Sequence, residues 1–282
     1  MVTTPPIPSR VLPVVDAAWV AGHRDEVVLA DVRWYLDGRS GRAAYAGGHL
    51  PGAVFVDLDA DLAAPPGPAG RHPLPEPAAF AATMGRLGIG DADTVVAYDD
   101  AGGVVAARLV WMLRATGHPA ALLDGGIAAW DGPLQTALSA RPPAVFTAAP
   151  WPPERLASAD HAADAVNVVL DARAPERYAG IEEPVDPRAG HIPGARSVPC
   201  RENVGPDGRL LPVEALRRRL ATAGVDAATP VVSYCGSGVN ACHTLLVLEH
   251  AGLGPGRLYP GSWSEWSADA ARPAETGGDA RR

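Results

Sequence analysis

Lysine is absent from this sequence, and all 24 of its basic residues are arginines. The chain therefore has no lysine that could form a Schiff base with a substrate or act as the phosphate-binding lysine of a P-loop. An anionic ligand must be held by arginine, histidine or backbone N–H groups. The net charge of −8 argues against a general nucleic-acid binder or a protein that binds anionic membranes.

Cysteine is also scarce, with three residues in 282. Three is too few, and an odd number, for a disulfide framework, and their spacing does not fit a structural zinc site. We therefore expect a reducing compartment, the cytoplasm, with no metal and no organic cofactor. No apolar segment approaches the roughly 20 residues of a membrane span, and the N-terminus lacks the features of a signal peptide.

Four sequence patterns occur twice along the chain, in the same order and at nearly the same separation, which indicates a duplicated domain. Short apolar segments alternate with helical patterns in each half, so we predict α/β domains with mostly parallel sheets. The matched segments are 28–33 with 168–173, 48–53 with 190–195, 95–99 with 231–235, and 125–130 with 261–266.

The composition also predicts the domain boundaries. We expect a first domain over residues 12–131 and a second domain over residues 158–268. The proline-rich residues 132–157 are typical of an interdomain linker. Residues 269–282 are predicted to form a flexible tail.

Cys235 lies between an apolar β-branched segment and the start of a predicted helix. A thiolate in that position faces loop N–H groups and the positive end of the helix dipole, and both stabilise an anion. Gly236 and Gly238 allow the backbone to turn tightly around the sulfur. The alternative, a small buried cysteine beside a turn, is the better prediction for Cys200 and Cys242, which have no such loop.

The first half has Asp99 at the position that matches Cys235, so we expect chemistry in the second half only. His49 and His191 occupy paired Gly-His-Leu/Ile-Pro-Gly segments. Because both halves have this histidine and only one half has a nucleophile, we interpret both as structural. Asp31 and Asp171 end equivalent strands and are interpreted in the same way.

These motifs together resemble the two-domain rhodanese family, which includes the thiosulfate and 3-mercaptopyruvate sulfurtransferases. The resemblance covers roughly residues 12–268. It implies tandem rhodanese-like α/β domains, the first of them non-catalytic. It also implies that Cys235 carries sulfur as a persulfide from a small anionic donor to a thiophilic acceptor such as cyanide or a thiol. We expect a monomer or a weak homo-oligomer.

The loop that begins at Cys235 resembles that of the 3-mercaptopyruvate type, because the thiosulfate type usually has cationic residues there. The resemblance implies a proton relay of Ser237, His72 and Asp59, which would move a proton to the enolate leaving group. The alternative, that His72 and Asp59 are solvated loop residues, stays open, as does the choice between the two donors.

Arg177 matches the arginine that binds the donor carboxylate in the family, and a guanidinium has the right shape for that task. The second arginine of the family normally follows a Glu-Pro pair, where this chain has Val185. Arg188 is the candidate replacement. Asn240 stands where the family usually has threonine. The loop residues expected to contact the bound sulfur are Gly236, Gly238, Val239 and Asn240.

Three other functions are alternatives to sulfur transfer for a chain with this cysteine loop. A cysteine phosphatase needs an arginine at the end of the loop, and the six residues after Cys235 include none. A Cys–His hydrolase would use His243, which lies on the predicted helix that leads away from the loop. A non-catalytic module that binds sulfur or an anion is the main alternative, and the intact loop argues against it.

Overall fold

The computed structural model of the chain describes residues 11–278, which form two compact units. The expectations on a signal peptide and on residues 279–282 of the tail fall outside the described residues. The first unit comprises the chain up to Ala63, together with Pro75–Trp151 and Pro206–Leu210. The second comprises Ala64–Leu74, Pro152–Gly205 and the chain from Leu211 onward.

The first unit contains a five-stranded sheet in which all neighbouring strands are parallel, in the order β1-β5-β4-β2-β3. The central strands β2 and β4 are buried along their whole length, which explains why the sequence shows them as continuous apolar segments. The strands are β1 (Val14–Val15), β2 (Val27–Asp31), β3 (Val54–Phe55), β4 (Thr94–Tyr98) and β5 (Ala120–Leu123). The helices are α1 (Ala17–Gly22), α2 (Gly41–Gly47), α3 (Leu58–Asp61), α4 (Pro77–Arg86), α5 (Ala107–Ala115) and a 3₁₀ helix over Gly126–Ala129.

The second unit contains a four-stranded parallel sheet in the order β7-β6-β8-β9. Its strands are β6 (Val168–Asp171), β7 (Arg196–Ser197), β8 (Val231–Tyr234) and β9 (Arg257–Leu258). Its helices are α6 (Ala159–Ala163), α7 (Pro175–Tyr178), α8 (Val213–Thr222), α9 (Asn240–His250) and α10 (Ser262–Trp266), with 3₁₀ helices over Pro153–Arg155 and Cys200–Asn203.

The two sheets have the same topology. Strands β2, β3, β4 and β5 of the first unit occupy the same order as β6, β7, β8 and β9 of the second. The prediction of a duplicated α/β domain with parallel sheets is therefore confirmed. Because the carboxyl ends of parallel strands meet at one edge of a sheet, the loops after β4 and β8 occupy equivalent places.

Both units have the same buried ion pair at the end of a central strand. Arg33 Nη2 lies 2.7 Å from Asp31 Oδ2, and Arg173 Nη2 lies 2.6 Å from Asp171 Oδ2. Each arginine also donates a 2.7 Å hydrogen bond to a backbone carbonyl of the Gly-His segment that follows. Burial raises the pKa of the Asp31 carboxyl, and the bonds from Arg33 oppose that shift. Each ion pair therefore joins the end of a central strand to the Gly-His turn that follows it, which agrees with a structural role for both aspartates.

The paired histidines are also structural. The His49 ring stacks on Tyr45 at 3.7 Å between centroids, and its Nδ1 lies 2.7 Å from the Tyr45 carbonyl oxygen. His191 repeats both contacts with Tyr178, at 3.7 and 2.8 Å. Both histidines are buried, so each fixes the turn that contains it.

Part of the predicted linker packs on the first unit, which includes residues up to Trp151. The Phe146 ring stacks on His118 at 4.1 Å, and Trp151 Nε1 donates to the Pro75 carbonyl oxygen at 2.8 Å. These contacts explain the aromatic residues within an otherwise proline-rich segment.

Residues 269–278 of the predicted tail are bonded to the second unit. The His191 N–H donates to the Glu275 carbonyl oxygen at 2.8 Å, and the Gly277 N–H donates to the Ala179 carbonyl oxygen at 2.8 Å. These bonds run against the expectation of flexibility over residues 269–278, which the sequence suggested because this segment is polar and lacks hydrophobic periodicity.

The loop after β4 binds a carboxylate with its own backbone. Asp99 Oδ1 accepts hydrogen bonds from the N–H groups of Ala101 and Gly103 at 2.8 and 2.7 Å. Asp99 Oδ2 accepts from Val105 and Ala106, each at 2.9 Å. The aspartate is fully buried. In the first unit, the loop equivalent to the Cys235 loop is therefore an anion site that the protein fills with its own carboxylate.

We predict that Asp99→Asn destabilises the protein by about 2–4 kcal/mol, because the amide NH₂ would face backbone donors and leave them unpaired. Urea unfolding followed by tryptophan fluorescence measures this change. Asp25→Asn, at an exposed position in the same unit, is the matched control and should change stability by less than about 0.5 kcal/mol. Equal effects of the two substitutions would contradict the anion-site interpretation.

Candidate active site

Cys235 follows β8 directly, and α10 holds its backbone on both sides. The Cys235 N–H donates to Ser262 Oγ at 3.1 Å, and its carbonyl oxygen accepts from the Trp263 N–H at 3.0 Å. Ser262 has a φ of 53°, a left-handed conformation that costs a non-glycine residue about 1–3 kcal/mol. Gly126 has a φ of 56° at the equivalent place in the first unit. The Ser262 hydroxyl also donates to the Tyr259 carbonyl oxygen at 2.9 Å. A glycine at this position could make neither hydroxyl bond, which is a reason for serine here despite the strain.

The structure requires glycine at position 238. Gly238 has a φ of 78°, and a Cβ built there would lie 2.5 Å from the Pro260 carbonyl oxygen. A Cβ built on Gly236 would lie 2.8 Å from Nη2 of Arg71 and 3.5 Å from Nη1 of Arg177, which are the ends of flexible side chains. Two guanidinium groups therefore lie beside the first residue after Cys235.

The other loop residues named by the sequence lie at the start of α9. Val239 immediately precedes the helix and is buried, and Asn240 is its first residue and is partly exposed. The helix runs for 11 residues, long enough for its N-terminus to favour an anion. His243 lies within α9 and is fully buried.

Burial does not distinguish the three thiols, since Cys200, Cys235 and Cys242 are 2%, 3% and 0% exposed. The surroundings of the three thiols distinguish them. Cys242 Sγ donates to the Gly238 carbonyl oxygen at 3.2 Å. Burial raises the pKa of Cys200 to about 12, so this thiol stays protonated at neutral pH. Of the three, Cys235 begins the loop beside the two guanidinium groups, and its part as nucleophile stays a prediction.

The structure brings two of the three predicted relay residues together. His72 Nδ1 lies 2.7 Å from Ser237 Oγ, and the tautomer of the ring decides which atom donates. The segment that contains His72, Ala64–Leu74, belongs to the second unit, whereas the sequence placed this histidine in the first domain. Asp59 lies in the first unit, where its Oδ2 accepts from Trp34 Nε1 at 2.8 Å. Its part in a relay stays a prediction.

Contacts with the turn before α10 fix the Ala64–Leu74 segment. Gly70 has a φ of 103°, and a Cβ there would lie 2.8 Å from the Gly261 carbonyl oxygen. The Arg71 N–H donates to Ser264 Oγ at 3.1 Å. The turn and helix that hold the Cys235 backbone therefore also hold the segment that supplies Arg71 and His72.

One buried carboxylate joins the two arginines beside Gly236. Asp186 Oδ2 lies 2.9 Å from Arg177 Nη2, and its Oδ1 pairs with Arg71 Nη1. Arg177 also pairs with Glu183 at 2.6 Å. Burial raises the pKa of the Asp186 carboxyl, and this effect outweighs the opposing influence of the Arg71 charge. Arg177 thus lies beside the Cys235 loop, and its part in binding the donor stays a prediction.

Sequence reasoning did not assign a role to Arg71, Glu183 or Asp186. The sequence feature that could have identified these three residues is their nearness to residues already selected as candidates. Arg71 immediately precedes His72, and the two acidic residues follow Arg177 within one short segment.

The prediction that Arg188 is a substrate arginine is wrong. Its guanidinium donates to four backbone carbonyl oxygens of the C-terminal segment at 2.7–2.9 Å. These bonds use all three of its nitrogen atoms, so Arg188 ties this segment to the second unit. The carbonyls belong to Trp266, Ser267, Asp269 and Arg272.

Comparison with known proteins places this geometry in a family. The model of the rhodanese-like domain matches the chain twice, over residues 16–132 and 153–269. A Pseudomonas aeruginosa protein, provisionally named 3-mercaptopyruvate sulfurtransferase, is 42% identical over 264 residues, which cover 89% of this chain and 93% of that protein. SseB of Mycobacterium tuberculosis, provisionally named a thiosulfate sulfurtransferase, is 43% identical over 262 residues, or 90% of this chain and 92% of SseB.

A solved structure agrees with these relatives. The crystal structure of SseA from Escherichia coli, described as a 3-mercaptopyruvate sulfotransferase, matches with a TM-score of 0.79 and 32% identity. The match covers 90% of this chain and all of SseA. The chain therefore belongs to the rhodanese family, and it is a sulfurtransferase that acts on a sulfur donor and a sulfur acceptor. This favours catalysis over the non-catalytic binding module.

Within residues 11–278, two features typical of other classes of protein are absent. Within that range no helix has both the length and the apolar character needed to cross a bilayer. No cluster of three or more His, Cys, Asp or Glu side chains in the same range could hold a metal ion.

We predict that Arg188→Gln lowers stability by about 2–4 kcal/mol, because several charge-assisted hydrogen bonds are lost, and leaves KM for the sulfur donor unchanged. Thermal unfolding and steady-state kinetics on the same preparation separate the two effects. The matched control is Arg218→Gln on the exposed face of α8, which should change neither quantity. A large rise in KM without a loss of stability would restore Arg188 as a substrate residue.

Proposed function

We propose that Cys235 is the nucleophile and sulfur carrier, and that the donor is 3-mercaptopyruvate. The observation that supports this donor is the 2.7 Å contact between His72 Nδ1 and Ser237 Oγ, two residues after the nucleophile. A hydroxyl in contact with an imidazole can move a proton at neutral pH, and only some donors need one.

The leaving group of the donor decides whether a proton is needed. With 3-mercaptopyruvate, the Cys235 thiolate attacks the donor sulfur, an S–S bond forms, and the C–S bond breaks with its electron pair on carbon. The resulting enolate takes a proton and becomes pyruvate. Ser237 and His72 deliver that proton. With thiosulfate, the S–S bond breaks and sulfite departs with the electron pair, so no proton is required.

In the second half of the reaction a thiophilic acceptor, cyanide or a thiol, attacks the outer sulfur of the persulfide. The bond between the two sulfur atoms breaks, and its electron pair returns to Cys235 as thiolate. The thiolate carries its negative charge on Sγ, and the persulfide anion carries it on the outer sulfur, one S–S bond away. The loop backbone from Gly236 to Asn240 and the N-terminus of α9 stabilise both forms.

The Asp99 loop of the first unit supports this assignment. There, four backbone N–H groups hold a carboxylate at 2.7–2.9 Å, which supports anion binding at the equivalent loop of the second unit. The first unit is non-catalytic in this proposal, since an aspartate stands in place of the cysteine. Arg177, beside Gly236, binds the carboxylate of the donor.

Thiosulfate is the second candidate donor. The guanidinium groups of Arg71 and Arg177 lie beside the loop, and thiosulfate is a small dianion that they could hold equally well. The provisional name of the M. tuberculosis relative points to the same donor.

We also propose a compartment and an oligomeric state for the enzyme. The three cysteines are free thiols, which fits a reducing compartment such as the cytoplasm. A monomer or a weak homo-oligomer is consistent with a site whose nucleophile, arginines and His72 all belong to one unit.

We predict that His72→Gln lowers kcat for 3-mercaptopyruvate by about 10²-fold or more and changes kcat for thiosulfate by less than about threefold, since only the first leaving group needs a proton. Ser237→Ala should show the same selectivity. His161→Gln, at an exposed position in the second unit, is the control. Equal losses with both donors would refute the relay and favour thiosulfate as donor.

A further inference from the structure

The two units have different residues at one equivalent position of their sheets. Phe55 of β3 pairs in register with Asp31, and Ser197 of β7 pairs in register with Asp171. Since Asp31 and Asp171 end equivalent strands, Phe55 and Ser197 occupy the same place in the two units. A large aromatic side chain in the first unit is therefore replaced by a small polar one in the second.

The helices beside this position are equivalent as well. Tyr45 of α2 and Tyr178 of α7 each stack on the histidine of the following Gly-His turn, with 3.7 Å between ring centroids. Each tyrosine hydroxyl also donates to a backbone carbonyl oxygen at 2.7 Å. The same step back along the chain from each tyrosine (45 − 42 and 178 − 175) makes Arg42 the counterpart of Pro175.

In the first unit, side chains fill the space between α2 and β3. Phe55 is 7% exposed, and its ring centroid lies 5.5 Å from that of Tyr45. The guanidinium carbon of Arg42 lies 4.8 Å from the centroid of the Phe55 ring, within the range of a cation–π contact. This place in the first unit therefore holds an aromatic ring covered by a cation.

In the second unit, the same place is a cavity of about 280 Å³. Ser197 and Pro175 line the cavity without filling it, and Tyr178 and Ile181 supply apolar walls. Ile181 is 75% exposed, so its side chain has apolar surface available to a ligand. Pockets for drug-sized ligands begin at roughly 300 Å³, so this volume suits a ligand with a single ring.

The rim of the cavity favours a positive charge. Glu176 lines the cavity and is exposed, and its counterpart in the first unit is Ala43. None of the described residues that line the cavity is basic. The first unit thus provides its own cation through Arg42, whereas the second unit provides a carboxylate that can pair with the cation of a ligand.

The cavity is separate from the Cys235 loop. Arg177 lies on the same helix as Glu176, but it is not among the described residues that line the cavity. Its guanidinium pairs with Glu183 and Asp186 and lies beside the loop instead. A ligand in the cavity would therefore contact α7 without taking the place of the sulfur donor.

We infer that the cavity between α7 and β7 binds a small molecule in which an aromatic ring is joined to a cationic group. The ring takes the place that Phe55 fills in the first unit, and the cation lies beside Glu176. This inference goes beyond the proposed function, because it depends neither on the identity of the sulfur donor nor on the reactivity of Cys235.

The first test uses 2-phenylethylamine, which has one ring and one ammonium group. A ligand-observed NMR titration of the full chain should show saturable binding with a Kd on the order of 1 mM, as expected for a ligand with so few atoms. Phenylacetate has the same ring with a negative charge, and butylamine has the positive charge without the ring. Each should bind at least about fivefold more weakly. Absence of saturable binding of 2-phenylethylamine, or equal binding of either comparison compound, would overturn the inference.

The second test gives the second unit the residue that the first unit uses. Ser197→Phe should abolish binding of 2-phenylethylamine and keep the unfolding temperature at or above that of the wild type, because the ring fills an existing cavity. Glu176→Gln should weaken binding by at least about threefold. Glu154→Gln, at an exposed position in the same unit, is the matched control and should leave binding unchanged.

Cys235→Ser should bind the probe as the wild type does, which separates the cavity from the Cys235 loop. Binding that survives Ser197→Phe, or a fall in the unfolding temperature of that variant, contradicts the inference. Loss of binding in Cys235→Ser would place the probe at the loop and would contradict it equally.

Discussion

Backbone N–H groups that converge at the end of a buried parallel strand require hydrogen-bond acceptors, because unpaired donors in a dry environment cost free energy, and an anion is a strong acceptor. The first unit meets that requirement with the Asp99 carboxylate, which accepts four such bonds. The second unit has Cys235 at the equivalent position. The Asp99 carboxylate fixes the first loop as a structural one. In the proposed function, the second loop instead holds a sulfur that gains and loses a second sulfur atom, so the duplication would pair a structural loop with a reactive one.

The α10 helix and the turn before it connect the groups of the reactive loop. Ser262 bonds to the backbone of Cys235, and Ser264 bonds to the backbone of Arg71. His72 is the next residue after Arg71. One short helix therefore holds the backbone of Cys235 and that of the segment containing Arg71 and His72, two segments that are far apart in sequence. The strained φ of Ser262 indicates that this placement costs free energy, as is common at functional sites.

Much of the fold and of the site could be predicted from the sequence, because the decisive signals are local. The Cys235 loop, Ser237, Arg177 and the repeated Gly-His segments each lie within a few neighbouring residues. The assignment of Arg188 failed for the opposite reason. Nearness in sequence cannot show which guanidinium reaches the loop, and the carbonyls that capture Arg188 come from a segment about 80 residues away. The position of Arg71 beside Gly236 likewise depends on how Ala64–Leu74 packs, which no local pattern encodes.

The central claim is that Cys235 holds a transferable sulfur. It is tested most directly by incubating the protein with 3-mercaptopyruvate or thiosulfate, removing the donor and measuring the intact mass. The account predicts a gain of one sulfur atom on the wild-type chain, its loss on addition of cyanide, and no gain in Cys235→Ser, while Cys200→Ser and Cys242→Ser still gain it. Absence of the added sulfur with both donors, or its persistence in Cys235→Ser, would contradict the account.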